Sequence, residues 1–299
     1  MTPRLNFRER LIDPNSPDRR PRRAAYVLPA LFTAGNLYLG FVAILKSIEG
    51  ALWAQAGNHG PNPHWEIAAK VIGVAVFLDG LDGRIARMTN TTSEFGRELD
   101  SLADVISFGI APAVLAFVFG YQLLDPATPA EIREYVLQAG YLFLFTFVLC
   151  GAARLARFNI TTNPVPRNPG RPDRKYFVGL PIPAAAGMVA AVVYAAGSVP
   201  LVHWQAVSAW TALLAVLSFL MVSSWRYRSF KDFSLVRPRN PFSVVLLGMA
   251  IFMIWNFSKP VLLGMATAYV GSGIAVRIGG VLRRKFRSHP SSQPERQAG

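Results

Sequence analysis

The sequence predicts an all-α, polytopic integral membrane helix bundle of about eight transmembrane helices. Three observations carry this. Of 299 residues, 52% are hydrophobic and only 16% charged, whereas a soluble domain carries about 25% charge; mean hydropathy is +0.30. The apolar runs are long and lack period-two alternation, as in Val136–Val148 and Met188–Ala196, which favours helices over a membrane barrel. Finally, Lys and Arg concentrate in alternate connections, the mark of a chain that crosses a membrane repeatedly.

The elements follow in order. A basic tail, residues 1–23, holds seven arginines, and the first apolar stretch, 24–46, is long enough to span. The next stretches are 66–90, 98–122, 134–158, 178–199 and 203–224, completing a six-span core over 24–225. Residues 226–283 supply a basic loop and two more stretches, 241–257 and 260–283, the former short and closely followed by Lys259-Pro260. Gly179, Pro181 and Pro183 shape the start of the fifth span. Residues 284–299, rich in Arg, Ser and Gln, read as a disordered tail.

Charge sets the orientation. Arg84, Arg87 and Arg97 lie between spans two and three. Arg154, Arg157, Arg167, Arg171, Arg174 and Lys175 follow span four, and Arg226, Arg228, Lys231, Arg237 and Arg239 follow span six. The connections near 47–65, 123–133 and 200–202 are almost free of Lys and Arg. Both termini are therefore expected in the cytoplasm, in a multi-pass protein of the inner (cytoplasmic) membrane. The net charge of +14 is spread over these loops, which argues against nucleic-acid binding and for an anionic headgroup surface. Cys150 is the sole cysteine, so no intrachain disulfide is possible, and the four histidines show no metal-ligand spacing.

Against this apolar background, residues 79–104 contain four aspartates: Asp79, Asp82, Asp100 and Asp104. A carboxylate at bilayer depth costs about 3 kcal/mol even on lenient scales, so four require compensation. Asp79 and Asp82 are three apart and Asp100 and Asp104 four apart, so each pair shares a helix face. Two such pairs on consecutive helices make an oxygen cage suited to Mg²⁺, Mn²⁺ or Ca²⁺. Gly83, Ala86 and Arg87 continue the first stripe, and Gly96 precedes Asp100 by four. Small residues admit a bulky ligand and Arg87 can fork onto phosphate. Such a face suits diphosphate chemistry. The carboxylates belong at the cytoplasmic headgroup level, since Asp79 lies about fourteen residues, or roughly 20 Å, past His64 on an inward-running helix. The rival reading of the two D-G dipeptides as turns leaves Asp100 and Asp104 unexplained.

The spacing D-x-x-D-G-x-x-A-R-x8-G-x3-D-x3-D resembles the signature of the CDP-alcohol phosphotransferases, met at Asp79, Asp82, Gly83, Ala86, Arg87, Gly96, Asp100 and Asp104. Eight fixed letters coincide by chance at about one in ten billion per start position, so the match is specific. Further segments resemble the membrane-integral phosphatidylserine synthases. These are P-A-L-F-T-A-G-N-L-Y-L-G at 29–40, S-F-G-I-A-P-A at 107–113, R-L-A-R-F-N at 154–159, F-V-G-L-P-I-P-A-A-A at 177–186 and S-F-K at 229–231. They carry the resemblance over spans one to six, and it implies a six-helix catalytic core with two C-terminal helices following it.

The resemblance implies transfer of a phosphatidyl group from CDP-diacylglycerol to an alcohol, with release of CMP. It implies Asp79, Asp82 and Asp100 as ligands of two Mg²⁺ or Mn²⁺ ions, with Asp104 both ligand and general base. It also implies Gly83, Ala86, Arg87, Ser93 and Gly96 around the CDP moiety, and a homodimer; Asn36 is a candidate polar contact to the cytidine or to serine, with a helix-packing amide as the alternative. For the branch it resembles the acceptor is L-serine, whose carboxylate needs an arginine fork; Arg154, Arg157 and Asn159 are the candidates. A relative using glycerol 3-phosphate, choline or an inositol compound stays open, because the same two arginines could serve a phosphorylated acceptor. A cation transporter is the reading from another class. It predicts related halves with interrupted helices, and the second half holds no counterpart of the carboxylate pairs.

Overall fold

The computed structural model describes residues 23–58, 60–89, 94–161, 176–228, 248–249, 252–254 and 256–287. The leading tail, the last twelve residues and most of the expected seventh span lie outside the described residues.

The chain is helical. Helix α1 (Arg23–Gln55) turns back through an Asn62-centred corner into α2 (Pro63–Thr89). The third element is one rod in three parts: α3 (Glu94–Asp104), a π-helical turn (Val105–Ile110) and α4 (Ala111–Gly120). Helices α5 (Ala130–Thr161), α6 (Ile182–Ala195), α7 (Trp204–Val222) and α8 (Ser258–Arg287) complete the bundle. Helix α8 continues through Arg287, past the point at which the sequence suggests a tail.

Among the described residues five helices are long and apolar enough to cross a membrane: Ala30–Gln55, Phe95–Gly120, Ala130–Ile160, Trp204–Val222 and Ser258–Arg277. Helix α2 has the length, at 27 residues, but carries Glu66, Lys70, Asp79, Asp82, Arg84 and Arg87. Leu31, Tyr38, Phe41, Leu45, Ile48 and Leu52 form an exposed stripe along α1, and Tyr135, Leu142, Phe145 and Leu149 one along α5. Contiguous apolar faces of this extent suit lipid rather than water.

The fifth span is shorter than the 178–199 expected. Its 14 residues reach only about 21 Å. Gly179 stands at φ +80°, where a Cβ would press on the Met221 carbonyl; this left-handed residue and Pro181 delay the helix start. The residues before it instead form an antiparallel ribbon, β1 (Tyr176–Val178) with β2 (Arg226–Arg228), in the register Tyr176–Arg228, Phe177–Tyr227 and Val178–Arg226. Gly179 N–H donates to the Trp225 carbonyl at 2.8 Å and Leu180 N–H to that of Leu220 at 2.9 Å. These bonds clip the start of α6 to the end of α7. Helix α6 runs through the bundle interior, with Ile182, Ala185, Ala186, Val189 and Val193 buried, so a short helix suffices there.

Aromatic packing fixes the end of the bundle opposite the aspartates. Trp65 meets Phe119 edge-on with centroids 6.2 Å apart, and Phe119 meets Trp210 at 5.5 Å. Such pairs add about 0.5–1.5 kcal/mol each beyond area burial. Both indole N–H groups are satisfied, Trp65 on the Ser47 carbonyl at 3.2 Å and Trp210 on that of Ala116 at 3.1 Å. Gly50 and Gly120 admit these rings, since a Cβ at either would collide with the indole.

Candidate active site

Three helices bring the acidic stripe together. Helix α1 packs against α2, α3 and the π turn, and α5 packs against the same turn. Asp79 and Asp100 are half-buried and Asp104 is buried. Asp79 lies within electrostatic reach of Asp100 and of Arg154, and Arg154 within reach of Asp104 as well. Three aspartates from two helices and one arginine from α5 thus share a site. Asp82 follows Asp79 by one turn on α2; its side chain, those of Gly83, Ala86 and Arg87, and Ser93 altogether lie outside the described residues.

The π turn begins right after Asp104. Pro112 has no N–H, so the α-helical bond it would give to the Phe108 carbonyl cannot form. Ala111 N–H instead reaches the Ile106 carbonyl five residues back. Such turns favour functional sites because they re-aim the side chains beside them. Here the turn is clamped to α1. The Ser107 hydroxyl donates to the Asn36 carbonyl at 2.9 Å, and a Cβ on Gly40 would lie 2.7 Å from the Ser107 α-carbon. Glycine at position 40 is what allows this approach.

Helix α1 contributes more than packing. Thr33 Oγ1 donates to Asp100 Oδ1 at 3.4 Å. One turn on, Asn36 is wholly buried, and neither its Oδ1 nor its Nδ2 finds a hydrogen-bond partner among the described residues. Leaving a buried polar group unsatisfied costs about 1–3 kcal/mol, which makes this amide a candidate contact for a ligand. Thr33 was not singled out from the sequence, although its spacing of three from Asn36 and seven from Gly40 puts all three on one face.

The two candidate arginines part company. Arg154 faces the aspartates. Arg157 is exposed and donates from Nη1 to the Val222 carbonyl at 3.4 Å, at the end of α7. Asn159 Nδ2 donates to Ser101 Oγ at 2.9 Å, which ties the C-terminal end of α5 to α3 beside Asp100. Gly96 is half-buried one turn before Asp100.

Among the described residues no three His, Cys, Asp or Glu side chains close into a metal-sized group. The donor chemistry nevertheless fits a hard divalent cation. The candidate donors that are described are all carboxylates, and their like charges oppose one another, Asp79 against Asp100, an opposition that a divalent ion held between them would relieve.

Comparison with known proteins gives the family. The family model described as CDP-alcohol phosphatidyltransferase matches residues 26–221, the stretch from α1 to α7. A CDP-diacylglycerol–serine O-phosphatidyltransferase of Helicobacter pylori is 36% identical over 212 residues, 71% of this chain and 76% of that protein. An archaetidylserine synthase of Methanothermobacter thermautotrophicus is 35% identical, covering 67% of this chain and 69% of its own. A CDP-diacylglycerol–serine O-phosphatidyltransferase of Bacillus subtilis is 30% identical over 68% of this chain and 91% of its own. With the aspartate signature intact on α2 and α3 and the family match extending over seven helices, the chain belongs to the CDP-alcohol phosphatidyltransferase family.

Proposed function

We propose that this protein transfers the phosphatidyl group of CDP-diacylglycerol to L-serine, giving phosphatidylserine and CMP, at the cytoplasmic face of the inner membrane with both termini inside. The observation that carries the reading is Arg154, an arginine set among the aspartates of the signature. The relatives' names add support: bacterial and archaeal proteins differ in the lipid half of the name and share serine.

The chain's residues divide the work. Asp79, Asp82, Asp100 and Asp104 would hold two divalent ions, Mg²⁺ or Mn²⁺. When bound, such ions neutralise a diphosphate and the charge growing on a leaving phosphate. Gly83, Ala86 and Gly96 leave room for the CDP moiety, while Arg87, Ser93 and Asn36 hydrogen-bond it. Arg154 takes the serine carboxylate. Arg157 and Asn159, at the same end of α5, keep that helix end in register. Asp104 accepts the proton of the serine hydroxyl. The serine oxygen then forms a bond to the lipid-bearing phosphorus as the bond from that phosphorus to the CMP oxygen breaks. This is one in-line displacement with no covalent enzyme intermediate. The working unit is a homodimer.

The test is purified protein in detergent with CDP-diacylglycerol, Mn²⁺ or Mg²⁺, and one alcohol at a time, with the lipid product identified by mass. L-Serine is expected to be consumed fastest. Faster use of glycerol 3-phosphate, choline or an inositol compound would overturn the acceptor assignment, and absence of CMP release with every alcohol would overturn the enzyme reading. Mass measurement in nanodiscs checks the dimer; a fully active monomer would refute it.

A further inference from the structure

The C-terminal helix lies beyond the family match, which ends at residue 221, yet it reaches the site. Helix α8 packs along α6 and against β2. At one end Ser258 shares a hydrogen bond of 2.7 Å with Tyr194, near the C-terminal end of α6, and Lys259 Nζ sits 5.6 Å from the Tyr194 ring centroid. At the other end α8 meets the ribbon beside the start of α6, so the two helices run antiparallel. This path brings Tyr269 beside Tyr227, five residues past Val222, whose carbonyl takes Arg157 one turn from Arg154, and Tyr269 and Arg154 lie within electrostatic reach.

Tyr269 is held there by Tyr227 of β2. The Tyr227 ring is wholly buried, 5.9 Å from that of Tyr269 and tilted by 42°. Its hydroxyl donates to the Val270 carbonyl at 3.4 Å. Gly273, one turn after Tyr269, lies against the same ring, where any Cβ would overlap the phenol. The Tyr227 ring is therefore seated between Tyr269 and Gly273 on one face of α8. Tyr227, just beyond α7, thus fixes an α8 tyrosine near the arginine that faces Asp79 and Asp104.

We propose that Tyr269 is a positioning residue for the acceptor: it orients the Arg154 guanidinium, with Tyr227 and Gly273 locking α8 in place, so that the last helix completes the serine pocket. This rests on the reading of Arg154 as the acceptor-carboxylate site. A phenol oxygen can accept from one guanidinium N–H while the fork of the others is left for a carboxylate. An arginine without that restraint samples rotamers that misalign the fork.

The experiment compares the wild type with Tyr269→Phe and Gly273→Ala as full-length proteins in nanodiscs. Each is assayed for KM and kcat with serine and with CDP-diacylglycerol, and for unfolding temperature. Tyr269→Phe keeps the ring contact with Tyr227 and removes only the hydroxyl. It is expected to raise the serine KM about tenfold, the scale of one hydrogen bond to a charged group, with the CDP-diacylglycerol KM within twofold of wild type. Gly273→Ala, which displaces Tyr227, is expected to change the serine KM in the same direction. A serine KM unchanged in both variants, or KM values for both substrates that rise together, would overturn the proposal. If either variant fails to fold, the other decides. Should the wild type prefer a different alcohol, the serine reading fails, and the same comparison with that alcohol still decides the role of Tyr269.

Discussion

The side-chain amide of Asn159 donates to the hydroxyl of Ser101 at 2.9 Å across 58 positions of sequence, and this bond sets the C-terminal end of α5 against the helix that carries Asp100 and Asp104. Both partners are half-buried, so neither replaces the other readily with water. Asn159→Ala and Ser101→Ala are each expected to lower kcat about three- to tenfold, matching a hydrogen bond of about 1 kcal/mol. The double variant should be no worse than the more severe single one. Additive losses in a double-mutant cycle would show that the two side chains act separately.

Metal dependence follows from the carboxylate stripe. Turnover should vanish in excess EDTA and return when Mg²⁺ or Mn²⁺ is restored. Asp79→Asn, Asp82→Asn and Asp100→Asn should each be inactive, because an amide oxygen is a poor substitute for a carboxylate on a hard cation. Full activity under chelation would rule the cage out.

Asp104 should behave differently from its neighbours. In the proposed role of general base it would be needed for proton transfer more than for holding CDP-diacylglycerol. Asp104→Asn is expected to keep CDP-diacylglycerol binding largely intact while turnover falls by about 10²-fold or more. Binding is read by displacement of a labelled nucleotide and turnover by CMP release; near-normal turnover would remove Asp104 from the chemistry.

Asn36 gives a prediction with two opposite signs. Its amide is wholly buried and lacks partners among the described residues, so the ligand-free protein carries an unsatisfied group at a cost of about 1–3 kcal/mol. Asn36→Leu, close in volume and apolar, should raise the unfolding temperature of the ligand-free protein and raise the CDP-diacylglycerol KM. A variant that is more stable and binds CDP-diacylglycerol normally would make Asn36 a packing residue only.

Gly40 tests the clamp between α1 and the π turn. A Cβ there would stand 2.7 Å from the Ser107 α-carbon, and backbone cannot yield as a side-chain tip can. Gly40→Ala should destabilise by about 1–3 kcal/mol, the cost of overpacking. It should lower activity as Asp104 shifts with the turn. Gly35, with nothing near its added Cβ, is the control on the same helix, and equal losses at both positions would point to helix propensity rather than contact.

What the sequence determined by itself is whatever repeats with a helical period or follows a fixed spacing. The aspartate stripe was legible because Asp79, Asp82, Asp100 and Asp104 stand in apolar sequence, where charge is expensive, and because spacings of three and four define a face without any knowledge of neighbours. The helices were legible for the same reason, and most of their ends fall within a few residues of the expected limits. The short fifth helix and the ribbon before it were not. Gly179 and Pro181 announce a break, but pairing Tyr176–Val178 with Arg226–Arg228 depends on a partner about fifty residues away. Tertiary structure alone decided which of two equivalent-looking arginines faces the carboxylates. Arg154 and Arg157 are three apart on one helix, and only the position of α7, whose last carbonyls take Arg157, separates them. It alone brought Thr33 to Asp100, Asn159 to Ser101, and Tyr269 to Arg154. Each of these pairs joins residues from different helices, and a helix reports in its sequence which face is polar but not which neighbour that face will meet.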